Sequence, residues 1–255
     1  MGPGVVIARG GHAQSRAGLL RDHAGRQVAG GPVRPRLLRQ GQVLVAEQVG
    51  GTAVADLAED EPGLGEVEQP LRLDITDPAS VRAAAEAAPD VTLLINNAGI
   101  ATRTNLVTGD LDDIRREMDT HFYGNLAMIR AFAPVLAAEG GAILNVLSVL
   151  SWLSHDGANS YSTAKAAEWS LTNGVRLELA AQGTLVTGLH LAGAATDMMA
   201  GADGDLLDPA DVARAGLDGI EAGLLEVLVD DTSRQVKASL AEDPSLLYPQ
   251  VLSGS

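Results

Sequence analysis

From residue 71 the chain alternates short, nearly all-apolar runs with amphipathic stretches of helical period, and this alternation constrains its fold more than any other feature. LRLDI (71–75), VTLLINNAG (91–99), GAILNVLSVLS (141–151), TLVTGLHLA (184–192) and EVLVD (226–230) read as strands. Between them, DPASVRAAAEAA (77–88), with its Asp-Pro start, and the stretches 110–141, 159–181 and 209–222 read as helices. Strands and helices that alternate over short joins specify a parallel sheet with helices on both faces, and strands without polar alternation fit that double burial. A single α/β domain accommodates 255 residues. Ligands of such sheets bind beyond the carboxyl ends of the strands, so the residues that follow each strand carry the functional information.

Composition narrows the function by exclusion. With no cysteine the chain holds neither a disulfide nor a thiolate metal site; no metal is expected, and a reducing cytoplasm suits it. A net charge of −15 repels phosphate backbones, which argues against a nucleic-acid partner. No apolar run reaches the roughly 18 residues of a membrane span, and MGPGVVIARG lacks the apolar core of a secretory signal, so a soluble protein is expected.

The charge is uneven. Residues 1–52 hold seven arginines, no lysine and two acids, together with 11 of the 29 glycines, and show no sustained period. Two readings of this segment stay open: a basic, solvated arm, or a stretch read out of frame from a GC-rich coding sequence. The division that follows is an atypical basic segment at 1–52, in the place of a first strand, loop and helix, and a regular body at 53–255 within one domain.

Three strand ends carry polar residues that a plain core does not need: Asn96, Asn97, Ala98 and Gly99 after one strand, the serines 148, 151 and 154 after the next, and Tyr161 with Lys165 at the start of the following helix. Tyr161 and Lys165 are four residues apart and share a helical face. An ammonium beside a phenol favours the phenolate, which lowers a pKa ordinarily near 10 towards the range of a general acid or base. Ser148, thirteen residues before the tyrosine, is placed to hydrogen-bond a carbonyl oxygen.

NNAG after a strand, a serine thirteen residues before a tyrosine, and YSTAK at a helix start together resemble the short-chain dehydrogenase/reductase family from about Leu71 to Asp197. The resemblance implies a Rossmann-type doubly wound parallel sheet, NAD or NADP as cofactor, a small carbonyl or alcohol substrate, and hydride transfer between the two. It implies that Tyr161 is the catalytic acid/base, Lys165 its partner and a ligand of the nicotinamide ribose, and Ser148 the carbonyl-positioning hydroxyl. It places Asp74 and Ile75 against the adenine, Asn96, Ala98 and Gly99 along the adenosine ribose, and Ala194 and Thr196 near the carboxamide. It also implies a homodimer or homotetramer paired through the helices at 110–138 and 159–181.

Three departures from the family pattern stand out. His121 in THFYGN occupies the place of an asparagine that anchors a proton-relay water, and is read as able to keep that role because imidazole both donates and accepts. Leu191 and Ala192 replace a Pro-Gly pair. VVIARGGHAQSRAGLL aligns by length with the opening strand and TGxxxGxG loop, yet only Gly10 falls on a motif glycine, with Gln14 and Arg16 at the other two. Two alternatives to a working oxidoreductase follow: a catalytically silent protein of this fold with impaired cofactor binding, and a serine hydrolase using Ser148 with His155 and Asp156, although no GxSxG elbow is present.

Overall fold

A computed structural model describes residues 4–9, 42–47, 67–138, 140–201 and 204–253, with side chains from Leu73 to Val251. Seven strands form one sheet: β1 (Gly4–Arg9), β2 (Gln42–Glu47), β3 (Val67–Arg72), β4 (Val91–Asn96), β5 (Ala142–Val146), β6 (Leu185–His190) and β7 (Glu226–Leu228). Their order is β3-β1-β2-β4-β5-β6-β7. From β2 to β7 every neighbouring pair is parallel, as the alternation requires. β1 is antiparallel to both β2 and β3, so β3 shares the direction of the parallel strands and β1 alone is reversed.

That reversal corrects the alignment by length. Arg9 pairs with Gln42, which in turn pairs with Val91, so β1 ends at the amino edge of β4 and not beside Asn96. The strand next to β4 is β2, and its carboxyl end lies at the edge where ligands are expected. Gly10, Gln14 and Arg16 lie outside the described residues.

The helices are α1 (Pro78–Ala87), α2 (Leu111–Met118), α3 (Asn125–Ala137), α4 (Asn159–Glu178), α5 (Pro209–Glu221), α6 (Asp231–Ala238) and the short α7 (Gln250–Ser253). Asp77 caps α1 by accepting from the Ala79 amide, with Pro78 at the first helical position where no N–H is needed. The predicted helix over 110–141 is instead α2 and α3 joined by one wide turn of π-helix, Asp119–Gly124. The predicted strand 71–75 lies earlier, at 67–72, and Leu73 and Ile75 leave it as buried anchors.

Alternate strand residues face two apolar layers. Leu94 of β4 and Ile143 of β5 pack with Val81, Met128, Phe132 and Val175 from α1, α3 and α4. Leu93, Ile95, Ala142 and Leu144 pack with Ile220 of α5 on the other face. α5 comes so close that a Cβ on Gly216 would sit 2.9 Å from the Leu144 and Leu189 side chains. Both faces are therefore apolar, which is why the strands carry continuous hydrophobic runs.

A chain of buried polar residues crosses this core between β4, β5 and α4. The register sets Asn96 opposite Asn145, the Asn96 amide donates to Asn145 Oδ1 at 2.8 Å, and Asn145 donates to Thr172 Oγ1 on α4 at 2.9 Å. Thr172 donates in turn to the Glu168 carbonyl. All four residues are buried. Asn145→Ala strands a donor on Asn96 and an acceptor on Thr172, and is expected to cost about 1–3 kcal/mol, read from the urea midpoint at unchanged m-value. A loss below about 0.5 kcal/mol would show that the network does not tie β4 to α4.

Candidate active site

The buried asparagine chain leads from the sheet to the first turns of α4. Lys165 is 5% exposed, although its ammonium carries a charge, because it has two acceptors. Its Nζ donates to the carbonyl of Val146, at the end of β5, and to Glu168 Oε2, both at 2.8 Å. Glu168 is itself fully buried, and its Oε1 accepts from Asn125 Nδ2 at 2.6 Å. Asn125 also donates to the His121 carbonyl, so α3, α4 and the π turn meet at this carboxylate.

Tyr161 lies one helical turn before Lys165, whose Nζ is 5.9 Å from the phenol ring centroid. Ser148, at the end of β5, is close enough to Tyr161 to lower its pKa. Ser148 owes its position to a tight turn at the end of β5: its Oγ accepts from the Leu150 amide at 3.1 Å, while its own amide donates to Ser151 Oγ. The structure thus brings Ser148, Tyr161 and Lys165 together at the carboxyl edge of the sheet.

His121 completes the group from the opposite side. Its ring meets that of Tyr161 edge to face with centroids 5.2 Å apart. Nε2 lies 2.8 Å from the Ile100 carbonyl oxygen and 3.3 Å from the Ile100 amide, while Nδ1 is buried with no hydrogen-bond partner among the described residues, 3.8 Å from Glu168 Oε2. Burial, and after it the Lys165 ammonium, hold the His121 pKa down at about 3, so the ring is neutral and this approach is not an ion pair. Gly99 makes the packing possible, since a Cβ there would stand 2.7 Å from His121 Cε1.

The expected lowering of the Tyr161 pKa is not what the site produces. Burial raises it, Lys165 lowers it, Glu168 and Glu117 raise it and Ser148 lowers it, and the balance lies above the ordinary phenol value. Spacing revealed the lysine but not the desolvation or the opposing carboxylate. Burial alone would lower Lys165, yet Glu168 and Tyr161 keep it above an ordinary lysine.

Asn96 keeps a buried Oδ1 without a partner among the described residues, and Ala98 is buried two residues further on. Asp74 is exposed and closes a turn in which Oδ1 accepts from both the amide and the hydroxyl of Thr76. No hydrogen bond described for Asp74 connects it to the Tyr161 centre. The Ile75 side chain is buried close to Gly124, where an added Cβ would meet its Cδ1 at 2.8 Å. Ala194 forms a parallel bridge with Leu207, and the Thr196 amide bonds the Ala194 carbonyl, which ties this segment to the loop ahead of α5. The hydrolase triad does not form: His155 Nδ1 engages the Asp156 carbonyl and the Asp156 carboxylate engages Asn105, both exposed.

Sequence reasoning missed Glu168, Asn125 and Glu117. Glu168 was accessible, because Tyr161, Lys165, Glu168 and Thr172 recur at helical spacing and trace one polar stripe on an otherwise buried face. Glu117 accepts from the amide and hydroxyl of Thr102, at 2.6 and 2.9 Å, and from Ser160, clamping the loop after β4 onto α4.

Comparisons with known proteins agree with this geometry. The family model described as short chain dehydrogenase matches residues 33–206. A trans-4-hydroxycyclohexanecarboxylate dehydrogenase of Sinomonas cyclohexanicum is 32% identical over 178 residues, 63% of this chain and 68% of that protein. An NADPH-dependent 1-acyldihydroxyacetone phosphate reductase of Schizosaccharomyces pombe is 35% identical over 133 residues; the match spans half of this chain and 45% of that reductase. Among solved structures, a short chain dehydrogenase from Burkholderia cenocepacia in complex with NADP superposes with a TM-score of 0.73 at 32% identity, covering 80% of this chain and 94% of that one. A short-chain dehydrogenase from Sphingobium yanoikuyae in complex with NADPH gives 0.63 at 25% identity over 78% and 82%.

The neutral histidines carry a pH signature. His121 falls from 6.5 to about 3 on folding, and His190, buried on β6, falls to about 4. Below pH 6.5 the unfolded chain binds protons that the folded chain refuses, so stability declines as pH falls towards these values, by up to roughly 1.4 kcal/mol per pH unit for each ring. His121→Gln is expected to make the slope of unfolding free energy between about pH 6 and pH 4.5 shallower by one proton's share. Identical slopes in urea titrations of the two proteins would refute a neutral buried His121.

Proposed function

The chain belongs to the short-chain dehydrogenase family, and from that premise we propose that it is a nicotinamide-dependent oxidoreductase interconverting a small carbonyl compound and its alcohol, with Tyr161 as the acid/base. The observation that carries this reading is the convergence of Ser148, Tyr161 and Lys165 at the carboxyl edge of the sheet. The residues present fit the nicotinamide half of such a cofactor. Lys165 has a third ammonium proton beyond those given to Val146 and Glu168. By the family resemblance, Tyr161 and Lys165 hold the nicotinamide ribose, Asn96, Ala98 and Gly99 line the adenosine side, and Ala194 and Thr196 flank the carboxamide. Either NAD or NADP is the cofactor; when bound it supplies or accepts the hydride.

The protein's own contribution is binding and proton handling. Ser148 donates a hydrogen bond to the substrate oxygen and sets it against the Tyr161 hydroxyl. Tyr161, neutral because its site is desolvated, donates its proton to that oxygen as negative charge develops there. Lys165, fixed by Val146 and Glu168, stabilises the phenolate left behind. Met198, exposed in the turn Asp197–Met199 that follows β6 in the chain, is assigned with the sequence stretch 197–208 to the substrate side. Exposed Leu111, Tyr123 and Leu177 on α2, the π turn and α4 are assigned to a homodimer or homotetramer interface, and the absence of cysteine to a cytoplasmic setting.

A second reading rests on the reversed β1: the strand leading to Gly10 ends at the edge away from Tyr161, which favours a chain of this fold that binds the dinucleotide weakly. Titration of NADPH and NADH fluorescence against the full chain separates the two, since saturable binding of either supports the oxidoreductase and none supports the silent fold. Tyr161→Phe is expected to reduce carbonyl turnover 100-fold or more with an unchanged urea midpoint, on the order of what a general acid contributes. More than about a tenth of the rate retained would remove Tyr161 from the role. Lys165→Ala is expected to weaken both turnover and cofactor binding, whereas a loss confined to turnover would remove the ribose contact.

A further inference from the structure

We propose that Glu168 is the counter-ion of the active-site lysine: it fixes the Lys165 ammonium at 2.8 Å and offsets the charge that the ammonium presents to Tyr161, keeping the acid/base group in its neutral, proton-donating form. The assignment deepens the oxidoreductase reading and rests on it only for the chemistry, since the ion pair is a feature of the fold. Glu168 does not reach the substrate side; it acts through Lys165 and is a positioning residue.

Four observations support it. Glu168 and Lys165 lie three residues apart on one face of α4, and both are buried, so their interaction is weakly screened by solvent. Glu168 has the bonds a buried carboxylate requires, with Oε2 on Lys165 and Oε1 on Asn125; they oppose the burial that raises its pKa above the ordinary carboxylate range, and Asn125 is anchored to the His121 carbonyl. Lys165 is held on its other side by the Val146 carbonyl, so the carboxylate decides where the ammonium stands relative to the phenol. Finally, Glu168 acts on Tyr161 in the direction opposite to Lys165.

The other titratable groups around the pair do not substitute for it. His121 on the π turn and His190 on β6 are held neutral by burial, at about 3 and 4. Glu117 on α2 acts on Tyr161 in the same sense as Glu168, but its hydrogen bonds go to Thr102 and Ser160 and not to Lys165. Tyr161 itself is the only other ionisable side chain of α4 that acts on Lys165 among the described residues. Glu168 is thus the carboxylate bonded to the ammonium.

The test is a phenol titration followed by ultraviolet absorbance on the full chain without cofactor. The chain has three tyrosines, 123, 161 and 248, and subtracting the Tyr161→Phe curve isolates the one of interest. Glu168→Gln keeps the side-chain shape and removes the charge, and the reversed amide has a partner in the free Oδ1 of Asn125. Tyr161 should then titrate lower by about one unit or more, the size of a neighbouring-charge effect. Glu168→Asp, which keeps the charge but draws it back from Lys165, should shift it less in the same direction and supplies the answer if the glutamine variant does not fold. An unchanged Tyr161 titration in the folded variants overturns the proposal, even if turnover falls, because a purely structural glutamate would lower activity without moving the phenol. The titration needs no turnover, so a shifted phenol in a protein that reduces no carbonyl compound would uphold the counter-ion and reject the enzymatic reading instead.

Discussion

A buried ammonium at the end of β5 organises this protein. Lys165 has left water, and a charge in that position survives only if acceptors surround it. The Val146 carbonyl is available because β5 ends there and no further ladder bond claims it. Glu168 is available because α4 places it one turn further along the same face. From this pair the requirements propagate outward: Glu168 needs Asn125, Asn125 is seated by the π turn, and the π turn delivers His121 against Gly99 and Tyr161. The widened turn and the bare glycine are consequences of packing polar groups around one charge.

The same burial explains why Tyr161 behaves differently from the phenol of a simple lysine-tyrosine pair. Low effective dielectric strengthens the pull of Lys165 on the phenol, but it also penalises the phenolate and strengthens the opposing push of Glu168. Where an ammonium carries its own carboxylate, its field at a third group is that of a dipole and falls off faster than that of a charge. Tyr161 therefore holds its proton more firmly than an ordinary phenol.

Much of this was legible from sequence because periodicity and spacing are local. Tyr161 and Lys165 at i and i+4, the serine closing β5 and the NNAG turn after β4 announced the centre and the parallel sheet around it. Glu168 was present in the same stripe but reads as a solvated helix face until its burial is known. The π turn was hidden for a different reason: one extra residue in a helical turn does not disturb the hydrophobic pattern of 110–137 enough to be seen, although it rotates His121 into the core. His121 also showed why substitution by residue type misleads, since a neutral ring bonded to the Ile100 carbonyl has only one nitrogen left to act.

The N-terminal strands fail differently, because strand order is not a local property. VVIAR and QVLVAE are both short apolar runs, and nothing within either says which one lies beside β4. Alignment by length chose the first; the pairing of Val45 with Ile95 and of Ala46 with Asn96 belongs to the second. The cluster around Tyr161 does not depend on the answer, since every bond described to Ser148, Tyr161, Lys165, His121 and Glu168 comes from β4, β5, β6, α3, α4 or the loops between them. The bonds around Tyr161 and the N-terminal strands are thus built by different parts of the chain. The first can be intact while the second is altered, which is why cofactor binding and phenol titration must be measured separately on this protein.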